Sequence, residues 1–219
     1  MYNLVKGIIE FRRLHLQNYR EKFSHLAMGQ APDTLFITCS DSRVVPNLFT
    51  TTHPGHLFVV RNAGNIIPPY PTLSSERASI EFAINQLPIE NIIVCGHSNC
   101  GAMLARFESQ EQSLPEGLNY WLEFSKKAAG CSCAESLTKE NILFQMQNLL
   151  TYPSIQEKVT QGLIKIWGWY FDVGTGDLYA FEESAQDFIL LDETEGSSIL
   201  RRIEEIHHRN ETHIWFLNS

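Results

Sequence analysis

Apolar residues among the first thirty positions recur at helical spacing. Leu4, Ile8, Phe11, Leu14 and Phe23 stand among basic and polar neighbours, which predicts one or two amphipathic helices that need a surface to pack on. Gly29 to Asp33 breaks that pattern. Thr34 to Cys39 then reads as a short β-branched apolar strand, ended by the polar cluster Ser40-Asp41-Ser42. A second such run, Leu57 to Val60, ends at Arg61-Asn-Ala-Gly-Asn65, and a third, Ile92 to Gly96, ends at His97-Ser98-Asn99. Between the second and third, Ser74 to Gln86 carries Ala78, Phe82 and Ala83 on a helical period, while Pro68, Pro69 and Pro71 stop any earlier helix. Further helices are expected from Gly101 to Phe107, near Tyr120 to Ala129 and from Leu137 to Leu150. Leu163 to Asp172, the Gly174-Thr-Gly176 turn and Leu178 to Phe181 read as a hairpin. Ser197 to His208 is amphipathic and charged, and predicts a surface or interface helix.

Short apolar strands alternating with helices indicate an α/β fold with a mostly parallel, four-stranded central sheet. An antiparallel strand is expected at one edge, helices on the flanks and a helical arm at the N-terminus. One domain is expected over residues 1–219: the arm (1–28), the α/β core (29–182) and a C-terminal extension (183–219). In such sheets ligands gather beyond the carboxyl ends of the strands, where all three polar clusters fall.

Composition narrows the function. With 43% hydrophobic and 19% charged residues over 219 positions, the chain can bury a large core without covalent staples. A formal net charge of -8 gives no general attraction to nucleic acid or anionic lipid, so neither is expected as a partner. No apolar run reaches signal-peptide or membrane-span length, and a cytoplasmic protein is expected. In that reducing setting Cys39, Cys95, Cys100, Cys131 and Cys133 read as metal ligands, nucleophiles or buried thiols, not as a disulfide framework.

At the first strand end, Cys39, Asp41 and Arg43 alternate and so can face one pocket. At the third, His97 and Cys100 are spaced i, i+3 where a strand turns into a helix, which lets the pair chelate one ion. Two sulfurs and one nitrogen form a soft set suited to zinc, and three protein ligands leave a fourth tetrahedral position open. His-x-x-Cys alone is a weak signal, and a strand-end cysteine is usually a small hydrophobe. Two such clusters at neighbouring strand ends, with an Asp-Arg pair between, are a strong one.

These residues resemble the β-class carbonic anhydrases. The two signatures of that family, Cys-x-Asp-x-Arg and His-x-x-Cys, stand here as Cys39-Ser-Asp41-Ser-Arg43 and His97-Ser-Asn-Cys100. The likeness continues through Phe58 to Asn65, Ile80-Glu-Phe82, Gly96 to Ala102 and Ile166 to Tyr170, roughly Leu4 to Phe181 in all. The resemblance implies a lyase that reversibly hydrates carbon dioxide to bicarbonate and a proton, with one Zn2+ per subunit on Cys39, His97 and Cys100. It implies attack by a zinc-bound hydroxide oriented by Asp41 and Arg43. Gln30 falls where the family keeps a substrate-binding glutamine, and Phe58 and Phe82 where aromatics wall the carbon dioxide pocket. Gly101 falls where a backbone N–H meets bicarbonate. A homodimer or a dimer of dimers is implied, the arm embracing a partner and Gln30 and the aromatics lent across the interface. His53 and His56 near the second strand are possible proton relays, though they read better as surface histidines. Pro71 to Arg77 lacks the glycine-rich stretch common in the family, and Cys131-Ser-Cys133 has no counterpart role.

Two other readings compete. Carbonyl sulfide or carbon disulfide, also linear electrophiles, could be hydrolysed on the same zinc site. A structural or storage zinc site in a binding protein is the other, and the three-ligand set with its Asp-Arg pair speaks against it; Asp41 would close the fourth position only if Arg43 released it. A cysteine phosphatase is excluded because Cys39 lacks the longer anion-cradling loop before its arginine.

Overall fold

The structure is a computed structural model that describes residues 1–108 and 114–201. Its elements are helix α1 (Tyr2–Glu10), a π-helical stretch (Phe11–His15), α2 (Leu16–Leu26), β1 (Thr34–Cys39), α3 (Pro46–Phe49), β2 (Leu57–Asn62) and α4 (Ser75–Gln86). There follow β3 (Asn91–His97), α5 (Gly101–Glu108), α6 (Glu116–Leu122), α7 (Ala134–Leu149), α8 (Pro153–Thr160), β4 (Lys165–Phe171), β5 (Leu178–Glu182) and β6 (Asp187–Leu190). Residues 193–201 are helical. The part of the expected C-terminal helix beyond 201 lies outside the described residues.

The strand order is β2-β1-β3-β4-β5-β6, with the first four strands parallel and the last two antiparallel. The four-stranded parallel core and antiparallel edge are therefore as expected, and β6 is an addition. It is four residues long with its central Phe188 and Ile189 half-buried, too short for period-2 alternation to register. Also unexpected is α8, which Pro153 opens at its first turn and Ile155 anchors in the core.

Every residue of β1 is buried, because the strand is hydrogen-bonded on both sides and covered on both faces. On one face α4, α7 and α8 cover a cluster that includes Leu35, Ile37, Ile80, Ile84, Ile92, Val94, Ile142 and Tyr152. On the other, Phe36, Ile93, Cys95 and Phe171 form a smaller apolar cluster with Phe49 stacked on Phe171 at 4.7 Å. Helix α7 approaches the sheet closely where it crosses two glycines. A Cβ on Gly96 would lie 2.9 Å from Ile142, and one on Gly168 2.7 Å from Met146 Sδ.

One helix boundary moved. A helix was expected near Tyr120 to Ala129, but α6 ends at Leu122. The cause is a set of competing hydrogen bonds: Ser125 Oγ donates to Leu122 O at 2.6 Å, and Lys126 N–H is taken by Asn141 Oδ1 of α7 at 3.0 Å. Gly130 (φ +90°) then turns the chain into α7.

The arm forms as expected and finds little to pack on within its own chain. None of the residues of α1, the π-helical stretch or α2 is buried, and Leu4, Ile8 and Ile9 are each at least 60% exposed. Its contact with the core runs through rings: Phe11, Tyr19 and Phe23 line one another, and Tyr19 meets His53 edge-on at 6.3 Å.

Candidate metal centre

The parallel register sets the centre. Cys39 is the last residue of β1 and His97 the last of β3, adjacent strands whose paired positions run to Thr38 opposite Cys95. Asn99 adopts a left-handed φ of 53°, which turns the chain sharply, and Cys100 then opens α5 by accepting the Leu104 N–H at 2.8 Å. The result is a buried group of Cys39, His97 and Cys100 whose ligand atoms all lie within 4.8 Å of one another. Among the described residues it is the only such group.

The donor set fits a zinc ion. The Sγ atoms of Cys39 and Cys100 are 3.9 Å apart. Two thiolates sharing a tetrahedral zinc with Zn–S bonds near 2.3 Å would be about 3.8 Å apart. His97 is wholly buried, its Nδ1 pairs with Ser98 O at 2.9 Å, and its Nε2 has no hydrogen-bond partner. A ring whose Nδ1–H is spent on a carbonyl presents an Nε2 lone pair, and a buried orphan of that kind is what a metal ligand looks like without its ion. The thiols are biased for the same task. The hydrogen bond with Cys100 holds Cys39 well below the ordinary thiol range, helped by His97 and by Gly64 N–H at 3.4 Å, while the same contact and burial raise Cys100.

Asp41 is held beside this group and outside it. Arg43 donates from Nε to Oδ1 (2.9 Å), from a terminal nitrogen to Oδ2 (2.8 Å) and from its backbone N–H to Oδ1 (3.0 Å). This fork holds the carboxyl of Asp41 well below the usual carboxylate range. Asp41 Oδ2 stops 3.9 Å from His97 Nε2, too far for a hydrogen bond and close enough to border whatever His97 holds. Arg43 also donates to Asn99 O at 3.0 Å, tying the two strand-end loops together.

Sequence reasoning missed the groups that hold these loops. Arg61 on β2 donates to three carbonyls of the ligand loop, Cys39 O (3.1 Å), Asp41 O (2.8 Å) and Val44 O (2.8 Å). Asn141, Gln145 and Asn148 form a buried amide stripe along α7. They bond Gly64 O, Ile67 N–H and Ile67 O, and so fix the loop whose Gly64 N–H reaches Cys39. Along a helix that carries polar residues on most of its turns, these three read as ordinary polar positions, and no local signal marks them as facing inwards. Gln145 also donates to Phe124 O and Asn141 Oδ1. Gln145→Leu would strand several of these groups in the core, so a loss of about 3 kcal/mol is expected in urea unfolding. A change below about 1 kcal/mol would mean that the stripe is not a fixed support.

The four expected substrate residues divide. Gly101 opens α5 directly after Cys100, beside the metal group, and a Cβ there would meet nothing within 4 Å. Gln30, Phe58 and Phe82 lie elsewhere. Phe58 pairs with Leu35, four positions before the Cys39 level, which at the strand rise puts it roughly 13 Å back along the sheet. Its ring packs on Phe82 at 5.8 Å, and Gln30 lies before β1 in a groove with Asn18, His25 and Gly55. Within one chain, then, these three sit towards the amino ends of the strands and the metal group at the carboxyl ends. His53 and His56 pack on each other at 6.0 Å beneath the arm.

The family model for carbonic anhydrase matches residues 34–178. The carbonic anhydrase of Synechococcus elongatus is 39% identical over 208 residues, covering 88% of this chain and 76% of its own length. Among solved structures, the beta-carbonic anhydrase CcaA superposes with a TM-score of 0.82 at 39% identity, over 87% of this chain and 98% of that one. Tetrameric beta-carbonic anhydrases from Sordaria macrospora superpose with a TM-score of 0.70 at 27% identity, over 82% of this chain and 95% of that one. Together with the Cys-His-Cys group at the strand ends, these likenesses establish that the chain belongs to the β-class carbonic anhydrases.

Proposed function

We propose that the chain hydrates carbon dioxide on a zinc ion held by Cys39, His97 and Cys100, with Asp41 and Arg43 controlling the position the three ligands leave open. The observation that carries this reading is the buried, unpartnered Nε2 of His97 facing two thiols, with a carboxylate fixed just outside the group. Zinc bound there would supply a Lewis acid that lowers the pKa of water towards neutrality.

The protein's own groups do the rest. Asp41, kept ionised by the Arg43 fork, can only accept a hydrogen bond. At Oδ2 it takes the hydrogen of the attacking oxygen and so aims that oxygen's lone pair at carbon dioxide. Because both carboxylate oxygens are engaged by Arg43, Asp41 is restrained from swinging onto the metal itself. The Gly101 N–H, at the positive end of α5, donates a hydrogen bond to an oxygen of the bicarbonate that forms. Arg61 acts as a positioning residue, holding the loop from Cys39 to Val44 in the register this geometry needs.

The protein works as a homodimer or a dimer of dimers. The bare apolar stripe of the arm supports this, as does the placement of Gln30, Phe58 and Phe82 away from their own chain's metal group. The partner subunit then supplies the glutamine and aromatic wall that a single chain's site lacks. No helix among the described residues is long and apolar enough to cross a membrane, and we assign the enzyme to the cytoplasm.

The test is metal content together with stopped-flow carbon dioxide hydration. The purified protein is expected to carry one zinc per chain and to lose hydration on chelation, and Cys39→Ala to lose the metal. Full zinc occupancy in Cys39→Ala would overturn the ligand assignment.

A further inference from the structure

Cys131 and Cys133 stand outside the metal group, in the loop between α6 and α7. Cys133 is exposed and caps the sixteen-residue helix α7: its Sγ accepts the Ser136 N–H at 3.4 Å, while Ser136 Oγ accepts the Cys133 N–H at 3.2 Å. Ser132 Oγ also points its hydrogen at Cys133 Sγ, at 4.0 Å. Helix caps are ordinarily oxygen side chains, because a neutral thiol is a poor acceptor. A thiolate is a better one, and the Cys133 sulfur stands at the positive end of a long helix, which favours that form. Cys131, two residues earlier, is half-buried against the apolar cluster that contains Cys39, Cys100, Leu122 and Leu137. The chain bends at Ser132, between the two cysteines, and Gly130 just before them is left-handed (φ +90°). Cysteines two apart on a bent chain fall within the Cα separation of about 4.4–6.8 Å that a disulfide spans.

We propose that Cys133 and Cys131 form a peroxide-oxidisable dithiol, with Cys133 as the attacking thiolate and Cys131 as the resolving thiol. In the first step Cys133 Sγ attacks one oxygen of a hydroperoxide. The O–O bond breaks, the second oxygen leaves with the electron pair and takes a proton to become water or an alcohol, and Cys133 becomes a sulfenic acid. In the second, Cys131 Sγ attacks the sulfenic sulfur, the S–O bond breaks, and hydroxide leaves to combine with the thiol's proton as water. The two sulfurs lose two electrons in total and the peroxide gains them.

The surroundings divide the roles. Hydrogen bonds from Ser136 lower the Cys133 thiol, whereas burial and the neighbouring Glu140 raise Cys131. Of the other three cysteines, Cys95 is fully buried and pushed up to about 12 by that burial, and Cys39 and Cys100 face the metal position. Closing the bond would draw Cys131 away from the apolar cluster beside the zinc ligands.

The experiment exposes the zinc-loaded protein to one equivalent of hydrogen peroxide at neutral pH, blocks free thiols with iodoacetamide and weighs the tryptic peptide 128–139. That peptide should carry no alkyl groups, be lighter by about two hydrogens, and recover both thiols with dithiothreitol. Limiting iodoacetamide without peroxide should label Cys133 about tenfold faster than Cys131. Cys131→Ser should accumulate a dimedone-trapped sulfenic acid at Cys133, and Cys133→Ser should leave Cys131 reduced. Full alkylation of both thiols after peroxide, or equal oxidation of Cys131 in Cys133→Ser, would overturn the proposal. The readout is the mass of one peptide, so it does not depend on carbon dioxide turnover.

Discussion

Asp41→Ala is expected to keep its full complement of zinc and to hydrate carbon dioxide roughly 10²–10³-fold more slowly, the usual range for losing one oriented partner of a developing charge. The two halves of that result have separate structural causes. Zinc is retained because Asp41 is no part of the Cys39-His97-Cys100 group, and because the ligand loop is held independently by the three hydrogen bonds from Arg61. Turnover falls because the carboxylate that borders His97 Nε2 at 3.9 Å is gone, and with it the acceptor that orients the attacking oxygen. Arg43→Ala should be impaired at least as severely, since the carboxylate would lose its fork and be free to swing onto the metal position. Zinc analysis and stopped-flow hydration on the same preparations separate the two effects. Native turnover in Asp41→Ala would show that the carboxylate is a bystander.

Mixing two inactive variants should restore activity. Gln30→Ala and Asp41→Ala chains are each expected to be severely impaired as homodimers. In a mixed dimer, the Gln30→Ala chain keeps its own Asp41 and receives Gln30 from its partner, so one of the two sites is whole. Random exchange makes half of the dimers mixed, which gives about a quarter of native turnover in the mixture. The expectation rests on the placement of Gln30 before β1 and of Phe58 some four residues back from the Cys39 level. If Gln30 served its own chain's metal, neither half of a mixed dimer would be whole and the mixture would stay at the level of its parents. Denaturing and refolding the variants together, followed by the same hydration assay, decides between these outcomes.

The chemistry was legible because its residues are rare in combination and close in sequence. Cys39, Asp41 and Arg43 cluster at the end of an apolar run, and His97 and Cys100 bracket a strand-to-helix turn, so both clusters were readable as strand-end groups. Strand β1 itself stops at Cys39, and Asp41 and Arg43 stand in the turn after it. The supporting shell was not legible. Asn141, Gln145 and Asn148 read as ordinary polar positions of a helix, and only the packing of α7 over the loop from Asn62 to Pro68 shows that they face inwards. The end of α6 was misplaced for a similar reason. Local propensity favours continuation past Leu122, and a distant amide on Asn141 captures the Lys126 N–H that the next turn would have used.

The sequence by itself determined the donor set, its two strand-end addresses and the parallel α/β class, since each depends on residue type and on periods of two or 3.6 within a few positions. Tertiary structure alone decided three things: the 3.9 Å approach of the two sulfurs, the Asp41–Arg43 fork that stops short of His97, and the separation of Gln30 and Phe58 from their own chain's metal group. Those depend on strand order and register, which bring together residues 61 positions apart in one place and keep others 9 positions apart at opposite ends of a strand. Hydrophobic burial fixes that order globally, through contacts that no local window of the chain contains.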